Sequence, residues 1–226
     1  MALEVAATTL ASDSSLQLYL RMEDNWNDTT ANAYNMTSSG SPTFVSGQFG
    51  KGGSFASSSS QYIYRSAASM SNAMISTSQS WMFWVKYASF SANNYLMGRS
   101  NGGNWFMFGG SGGELTWYSG LSINHSITIP STGVFHHVCF SYNSTTGRIS
   151  SFLNGIEVQN QVSVTGSVSG AGTNFAIGRI GDYAGYGTFS IDEVAMFSRE
   201  ITANDISKIF PPTNGSPIFF GNTAIA

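Results

Sequence analysis

Charged residues are scarce in this sequence. They make up 9% of the 226 residues, and the formal net charge is −3; typical globular domains contain about 25% charged residues. The few lysines and arginines form no run. Nucleic-acid binding depends on clustered basic side chains that neutralise phosphates, so we expect no nucleic-acid partner. The composition is also atypical of a coiled coil or of a charged disordered chain.

Cysteine pairs and long apolar runs are missing as well. Cys139 is the only cysteine, which excludes a disulfide within the chain and a metal cluster built on cysteines. Its apolar neighbours predict a buried, unreactive thiol. No apolar run approaches the roughly 20 residues of a membrane-spanning helix, so we expect no membrane span. Residues 1–15 contain Glu4 and no basic region, which is atypical of a signal peptide.

Short stretches of alternating apolar and polar residues dominate the chain. A period of two is typical of β-strands, because successive side chains point to opposite faces. Glycine-rich turns separate the stretches, and the 25 glycines and 14% aromatic residues fit a sheet protein. Strands are predicted within 15–22, 41–55, 58–65, 80–87, 95–99, 104–110, 114–120, 123–130, 134–160, 174–180 and the first part of 187–210, and a loop is predicted at 181–187.

About a dozen short strands predict an all-β fold. The simplest arrangement is a two-sheet antiparallel jelly-roll sandwich with a short C-terminal helix turn. One stretch, SWMFWVKY, is apolar on both faces: Trp81, Phe83 and Val85 share one face, and Met82 lies on the other. This pattern predicts a central strand that is covered on both sides.

The range 187–210 combines a strand with a short helix. Its apolar alternation slips by one residue at Asp192–Glu193, which predicts a β-bulge. Thr202 and Asp205 have the spacing of a capping box, in which each side chain binds the backbone N–H of the other residue. The range is therefore predicted to close the sandwich with both elements packed on its core.

Three segments carry a family resemblance: QSWMFWVKY, FHHVCFSYNSTTGRISSFLNGIEV and GTFSIDEVAMFSREITANDISKIF. Together they resemble the laminin-G-like (LamG) branch of the concanavalin A-like lectin/glucanase superfamily, with Phe135 where that family usually has Trp. The resemblance extends over roughly residues 12–210 and implies the same jelly roll. Members of the family include glycan binders, adhesion modules and virion proteins, so the resemblance implies binding without naming the ligand.

The domain organisation that follows has three parts. Residues 1–13 form an N-terminal arm, 14–211 the LamG-like domain, and 212–226 a C-terminal tail. Both ends contain apolar residues. They either become ordered on a partner subunit or pack on their own domain.

Enzymatic activity is not expected. Glucanases of the same jelly roll are expected to carry Glu-x-Asp-x-Glu on one strand, so that the carboxyl groups share a face, and this triplet is missing here. Asp192 and Glu193 are adjacent, and the bulge favours hydrogen bonds to freed backbone groups over cation binding. His136 and His137 are neighbours in a strand and point apart, which favours structural roles over metal ligation.

Glycan binding requires aromatic faces for C–H patches and amide or carboxylate groups for hydroxyls. The predicted loops supply such combinations, although packing of the loops explains the same residues. The candidate ligand-binding residues are Asp182, Tyr183, Tyr186, Trp26, Asn101 and Asn104.

Calcium is a further candidate ligand, because some relatives bind Ca²⁺ at the rim of the sandwich through Asp side chains and carbonyl groups. The loop carboxylates available for such a site are Asp182, Asp24 and Asp28. No other cofactor is expected.

Two functions fit these observations. The first is a non-catalytic structural, decoration or fibre component on a virus (phage) particle surface that binds glycans. The second is a secreted or cell-surface carbohydrate-binding or adhesion module. The missing export signal favours the first, with glycans or cell-surface polysaccharide, further copies of the chain or other particle proteins as partners. The expected location is the virion or the extracellular space.

Overall fold

A computed structural model of the protein describes residues 10–70, 78–90, 94–100, 105–121, 124–166, 173–181 and 183–210. In these ranges the chain forms an eight-stranded and a nine-stranded sheet, here called sheet I and sheet II. No helix in the described ranges combines the length and the apolar character that crossing a membrane requires.

Sheet I contains the strands nearest the C-terminal helix. Its strands are β1 (Leu16–Leu20), β3 (Thr43–Ser46), β4 (Lys51–Phe55), β6 (Gln79–Lys86), β11 (His136–Asn143), β12 (Arg148–Leu153), β13 (Ile156–Gln161) and β17 (Phe189–Phe197). They follow the order β13-β12-β11-β6-β17-β4-β3, and β1 also pairs with β17.

Sheet II faces sheet I across the core. Its strands are β2 (Thr37–Ser39), β5 (Tyr62–Ser66), β7 (Asn94–Ser100), β8 (Trp105–Gly110), β9 (Glu114–Tyr118), β10 (His125–Thr128), β14 (Asn174–Ile177), β15 (Arg179–Ile180) and β16 (Tyr183–Tyr186). The order is β10-β9-β8-β7-β14-β5-β2, with β15 beside β7 and β16 beside β15. The predicted two-sheet antiparallel sandwich is confirmed.

The main core fills the space between the sheets. Trp81 and Phe83 of β6 point into it and are fully buried. Phe108 and Trp117 of sheet II also lie in this core. The rings of Phe108 and Trp117 are stacked on each other, with their centroids 5.7 Å apart. Burial of such aromatic side chains is the largest favourable contribution that a sandwich of this size has.

A second core lies on the outer face of sheet I, under helix α1 (Ala203–Ile209). Met82 of β6 and Cys139 of β11 point into it, opposite Ile206 and Ile209 of the helix. The prediction that β6 is covered on both sides is confirmed. Cys139 is fully buried, and burial raises the pKa of its thiol far above the ordinary value, which keeps the thiol protonated.

The predicted capping box starts helix α1. The hydroxyl of Thr202 accepts from the N–H of Asp205 at 3.3 Å, and the Asp205 carboxylate accepts from the N–H of Thr202 at 3.0 Å. Arg199 binds the same carboxylate at 2.8 Å and that of Asp13 at 2.6 Å. Although burial opposes ionisation, these hydrogen bonds hold the pKa of Asp205 well below its ordinary value.

The predicted bulge in β17 is confirmed. Asp192 pairs with Trp84 and Ala195 pairs with Met82, so two residues of β17 face one residue of β6. Glu193 has a φ of +52°, a left-handed conformation that non-glycine residues seldom adopt. The extra residue therefore changes the direction in which the flanking side chains point.

Both bulge carboxylates are buried and hydrogen-bonded. Asp192 accepts from the backbone N–H of Phe49 at 3.0 Å and from that of Glu193 itself, as the sequence led us to expect. The hydroxyl of Tyr19 donates to the carboxylate of Glu193. The two carboxylates thus connect β17 to the β3–β4 turn and to β1.

Two sequence predictions need correction, and one strand was missed. The predicted loop at 181–187 contains β16, which pairs with β15, because the left-handed Gly181 (φ +44°) permits a hairpin turn rather than a flexible loop. The predicted strand at 58–65 begins only at Tyr62, after a 3₁₀ turn at Ser57–Ser59. Strand β2 was not predicted, because its three residues show no apolar alternation.

Burial changes the protonation of the bulge carboxylates. It raises the pKa of Glu193 from 4.5 to about 8, and the charges of Asp192 and Glu23 add to the increase, while Tyr19 and Arg21 oppose it. Burial likewise raises the pKa of Asp192 to about 7. The folded protein therefore holds these protons more tightly than the unfolded chain does.

The bulge predicts a stability that falls as the pH rises. The stabilisation is fully present below pH 4 and is lost as the pH passes through about 7–8. We expect the wild-type Tm to fall by about 5–10 °C between pH 5 and pH 9. Glu193→Gln, which keeps an acceptor for Tyr19 and cannot ionise, should have a flatter profile in thermal unfolding. Glu157→Gln, at an exposed carboxylate, is the control and should keep the wild-type profile; equal slopes in all three proteins would contradict the assignment.

Candidate functional site

The outer faces of the two sheets differ in what covers them. On sheet I, helix α1 and the buried side chain of Leu10 occupy the face, and Arg199 joins Asp13 to the helix. Sheet II includes the hairpin β15–β16, and Tyr62 and Tyr64 are partly exposed on its outer face. A site that must reach a ligand is therefore more accessible on sheet II.

Three tyrosines lie side by side on this outer face. Tyr62 and Tyr64 project from β5 while Ile63 between them is buried in the core, as strand alternation requires. The ring of Tyr62 lies 5.5 Å from that of Tyr64 and 6.1 Å from that of Tyr186 on β16. We call Tyr62, Tyr64, Tyr186 and Arg179 the tyrosine platform.

Arg179 holds the platform together. Its guanidinium lies 4.8 Å from the ring centroid of Tyr62 and 5.9 Å from that of Tyr186. Such cation–π contacts contribute about 0.5–1 kcal/mol each at exposed sites and fix the tilt of the rings. Because β15 pairs with β16, the hairpin brings Arg179 directly opposite Tyr186.

Hydroxyl groups border the rings. Thr37 of β2 stands opposite Tyr64, and Ser39 stands opposite Tyr62. Residues directly opposite in antiparallel strands share a face, so these hydroxyls point to the same side as the rings. Aromatic faces next to hydroxyls suit a ligand that has C–H patches and hydroxyls of its own.

Among the predicted ligand-binding residues, Tyr186 belongs to the platform. Trp26 instead stacks on Phe44 at a centroid distance of 4.1 Å and packs against the main core, so one face of its ring is occupied. The backbone of Tyr183 lies in β16, but its side chain is outside the described part of the chain. The other predicted residues, Asp182, Asn101 and Asn104, also lie outside the described residues.

Sequence reasoning missed Tyr62 and Tyr64 as candidate binding residues. The signal was present in the segment QYIYR, where two tyrosines alternate with a core isoleucine and must share the outer face. The contact with Tyr186 could not be inferred, because it depends on a hairpin that was interpreted as a loop.

The predicted calcium ligands occupy different environments. Asp28 is buried, and its carboxylate accepts from the backbone of Tyr19, Thr30 and Tyr34 at 2.9–3.0 Å and from the Thr30 hydroxyl at 2.8 Å. These bonds use most of its acceptor capacity for organising the loop after β1. Asp24 is exposed. Within the described ranges, no three His, Cys, Asp or Glu side chains converge as a metal site requires.

The adjacent histidines have structural partners. His136 contacts the hydroxyl of Ser131 at 3.0 Å and the amide of Asn154 at 3.1 Å. His137 packs against the ring of Phe210 at 5.1 Å, and complete burial lowers its pKa to about 3, so it is neutral.

A cavity outside sheet II does not offer a comparable site. It has a volume of about 470 Å³ and lies beside β1, lined by Asp13, Tyr19 and Arg21 among others. Asp13 is paired with Arg199, and Tyr19 donates to Glu193. Its acidic and phenolic groups are therefore used in holding the fold.

Comparison with solved structures finds the same fold in a domain of an arabinanase and in the binding domains of a neurotoxin and of a mosquitocidal protein. Domain 4 of AbnA, a GH43 extracellular arabinanase from Geobacillus stearothermophilus in complex with arabinotriose, matches with a TM-score of 0.66 and 20% identity, over 85% of this chain and 97% of that one. The binding domain of botulinum neurotoxin DC in complex with SialylT matches with a TM-score of 0.64 and 13% identity, over 88% and 51%.

A third example is the binding domain of Paraclostridial Mosquitocidal Protein 1, with a TM-score of 0.61 and 13% identity over 88% of this chain and 52% of that one. This chain thus spans about half the length of the two toxin domains. At such identities the likeness shows a shared fold. Comparison with curated proteins gives no match.

The family comparison covers most of the sandwich. Residues 57–207 match the family model Laminin_G_3, described as the Concanavalin A-like lectin/glucanases superfamily. The match includes β5 to β17 and most of helix α1, and it agrees with the two antiparallel sheets. The chain belongs to the concanavalin A-like lectin/glucanases superfamily.

Proposed function

We propose that this protein is a non-catalytic carbohydrate-binding module that holds its ligand on the tyrosine platform. The observation that carries the proposal is the row of three partly exposed tyrosines on the accessible face of sheet II. Sugar rings present flat C–H patches that stack on aromatic faces, and the hydroxyls of Thr37 and Ser39 are placed to bind sugar hydroxyls.

Two of the similar structures support a carbohydrate as the ligand class. The arabinanase domain was solved with arabinotriose, and one neurotoxin binding domain with SialylT. Those ligands belong to those proteins. For this chain they make an oligosaccharide the first ligand class to test.

The proposal of a non-catalytic role depends on carboxylate placement. Glycoside hydrolysis uses two carboxyl groups about 5–9.5 Å apart on either side of the scissile bond. The platform side chains that the structure describes include a guanidinium and hydroxyls and no carboxylate. Asp192 and Glu193 are adjacent but 0% and 3% exposed, so a polysaccharide cannot reach them.

Removing two of the three platform rings should weaken stacking. For Tyr62→Ala combined with Tyr64→Ala we expect a loss of about 2–10-fold in affinity for each ring, measured on a glycan array and by titration calorimetry with the strongest hit. The matched control is Tyr62→Phe combined with Tyr64→Phe, which keeps both rings and should retain most of the affinity. Unchanged binding by the alanine variant, with an unchanged Tm, would rule out the platform; an array without any hit would contradict the carbohydrate ligand.

A second candidate function is a structural or decoration role on a virus particle. The observation that favours it is strand β13, at one end of sheet I, whose six residues are all exposed. Ile156 is 69% exposed and Val158 is 44% exposed. Unpaired edge strands commonly carry Lys or Pro as protection against pairing, and β13 contains neither. An edge of this kind suits contact between copies or with another particle protein, in a virion or extracellular location.

Self-association through β13 gives this candidate a direct test. We expect wild-type protein to form dimers or larger assemblies at micromolar concentration in gel filtration with light scattering. Ile156→Lys combined with Val158→Lys should yield monomers, because lysines on the two paired edges would come close to each other on the same face and repel, and edge lysines oppose strand pairing. Phe90→Lys, at an exposed apolar residue outside β13, should associate like the wild type. A wild-type chain that stays monomeric and does not co-purify with particles favours the alternative, a secreted or cell-surface adhesion module.

A further inference from the structure

A groove of about 240 Å³ lies on sheet II outside the tyrosine platform. It runs along strands β7, β8 and β9 and is lined by Tyr95, Met107, Glu114, Thr116 and Tyr118, among others. We infer that this groove is a second carbohydrate subsite, which takes a neutral sugar unit. The inference rests on the proposed carbohydrate-binding function. It adds a binding place separate from the tyrosine platform and names the class of sugar that binds there.

Strand alternation builds one wall of the groove. Leu115 and Trp117 of β9 point into the main core and are fully buried. Glu114, Thr116 and Tyr118 must therefore point to the outer face. One strand thus supplies a carboxylate, a hydroxyl and an aromatic ring at regular spacing.

A missing side chain gives the groove its depth. In the register of the sheet, Gly109 of β8 lies between Tyr95 of β7 and Thr116 of β9. A Cβ atom at Gly109 would stand 3.4 Å from the Tyr95 ring and 3.5 Å from the end of Met107. Any larger side chain at this position would fill the space between the two walls.

The polar groups of the groove are arranged around Glu114. The carboxylate of Glu114 accepts from the hydroxyl of Thr116 at 3.1 Å, and the same hydroxyl is 2.8 Å from that of Ser126 on β10. An ionised carboxylate has about four acceptor positions, so the bond from Thr116 leaves capacity for sugar hydroxyls. The exposed position of Glu114 gives a ligand access to it.

The chemistry of the walls selects the ligand class. Tyr95, Tyr118 and Met107 offer apolar surface for the C–H face of a sugar ring. Glu114 accepts hydrogen bonds and repels an acidic sugar. It is the single carboxylate among the described residues that line the groove, so the pair that glycoside hydrolysis needs is not present there.

The groove and the platform occupy different parts of one face. The groove belongs to β7–β9, and the platform belongs to β5, β15 and β16. Strand β14 lies between β7 and β5, and β15 meets β7 at Gly98, which is not among the described residues that line the groove. None of these lining residues belongs to the platform. Substitutions can therefore alter either subsite without changing a residue of the other.

The test uses the full chain and neutral trisaccharides (xylotriose, cellotriose and maltotriose) as probes, with trigalacturonate as the acidic comparison. For Glu114→Gln we expect a loss of tenfold or more in affinity for the neutral probe that binds best, measured by titration calorimetry. Tyr118→Ala should lower the same affinity, and Glu157→Gln on sheet I is the matched carboxylate control that should leave it unchanged. Thermal unfolding checks that each variant is folded.

Combining these variants with the platform variants separates the two proposals. A loss in Glu114→Gln while the platform remains intact supports the groove. Wild-type binding in both groove variants, together with a loss in Tyr62→Ala, would overturn the groove and leave the platform function standing. Preferential binding of trigalacturonate through the groove would overturn the neutral-sugar assignment, and a wild-type protein that binds no probe and no array glycan would overturn both proposals.

Discussion

One edge of strand β17 pairs with two different strands in succession, and the arrangement of the rest of sheet I depends on this pairing. Its first residues, Phe189 to Ile191, pair with β4, and its last residues pair with β1, while β6 runs along the other edge throughout. The bulge lies at the change of partner. Asp192 binds the turn that leads into β4, and Glu193 binds Tyr19 of β1, so each carboxylate secures one of the two partners.

This arrangement explains why buried acidic groups occur in a chain with so little charge. A bulge frees backbone groups and changes strand direction, and both effects need polar partners inside the protein. Burial of these two groups is unfavourable when they are charged. Their raised pKa values, about 7 for Asp192 and about 8 for Glu193, keep them protonated at lower pH. Their role is to hold the sandwich together, and both proposed ligand sites lie on the opposite sheet.

The sequence predicted those elements whose pattern is local. Two-sided apolarity identified β6, a one-residue slip identified the bulge, and the spacing of Thr202 and Asp205 identified the helix start. The proposed ligand face was predicted only in part, because its residues come together through strand order. Tyr62 and Tyr186 are distant in sequence, and they meet because a hairpin, taken for a glycine-rich loop, folds beside β7. Gly109 gives no local sign that it leaves space between neighbouring side chains, since this effect depends on Tyr95 and Thr116 in the adjacent strands.

Arg199 joins the two ends of the described sandwich through its ion pairs with Asp13 and Asp205. It ties Asp13, near the first described residues, to Asp205 in the last helix, so the chain enters and leaves the domain on the same side of sheet I. The tyrosine platform and the groove are on the far side of the sandwich. A partner that bound the chain beside Asp13 or Asp205 would therefore leave the tyrosine face of sheet II uncovered.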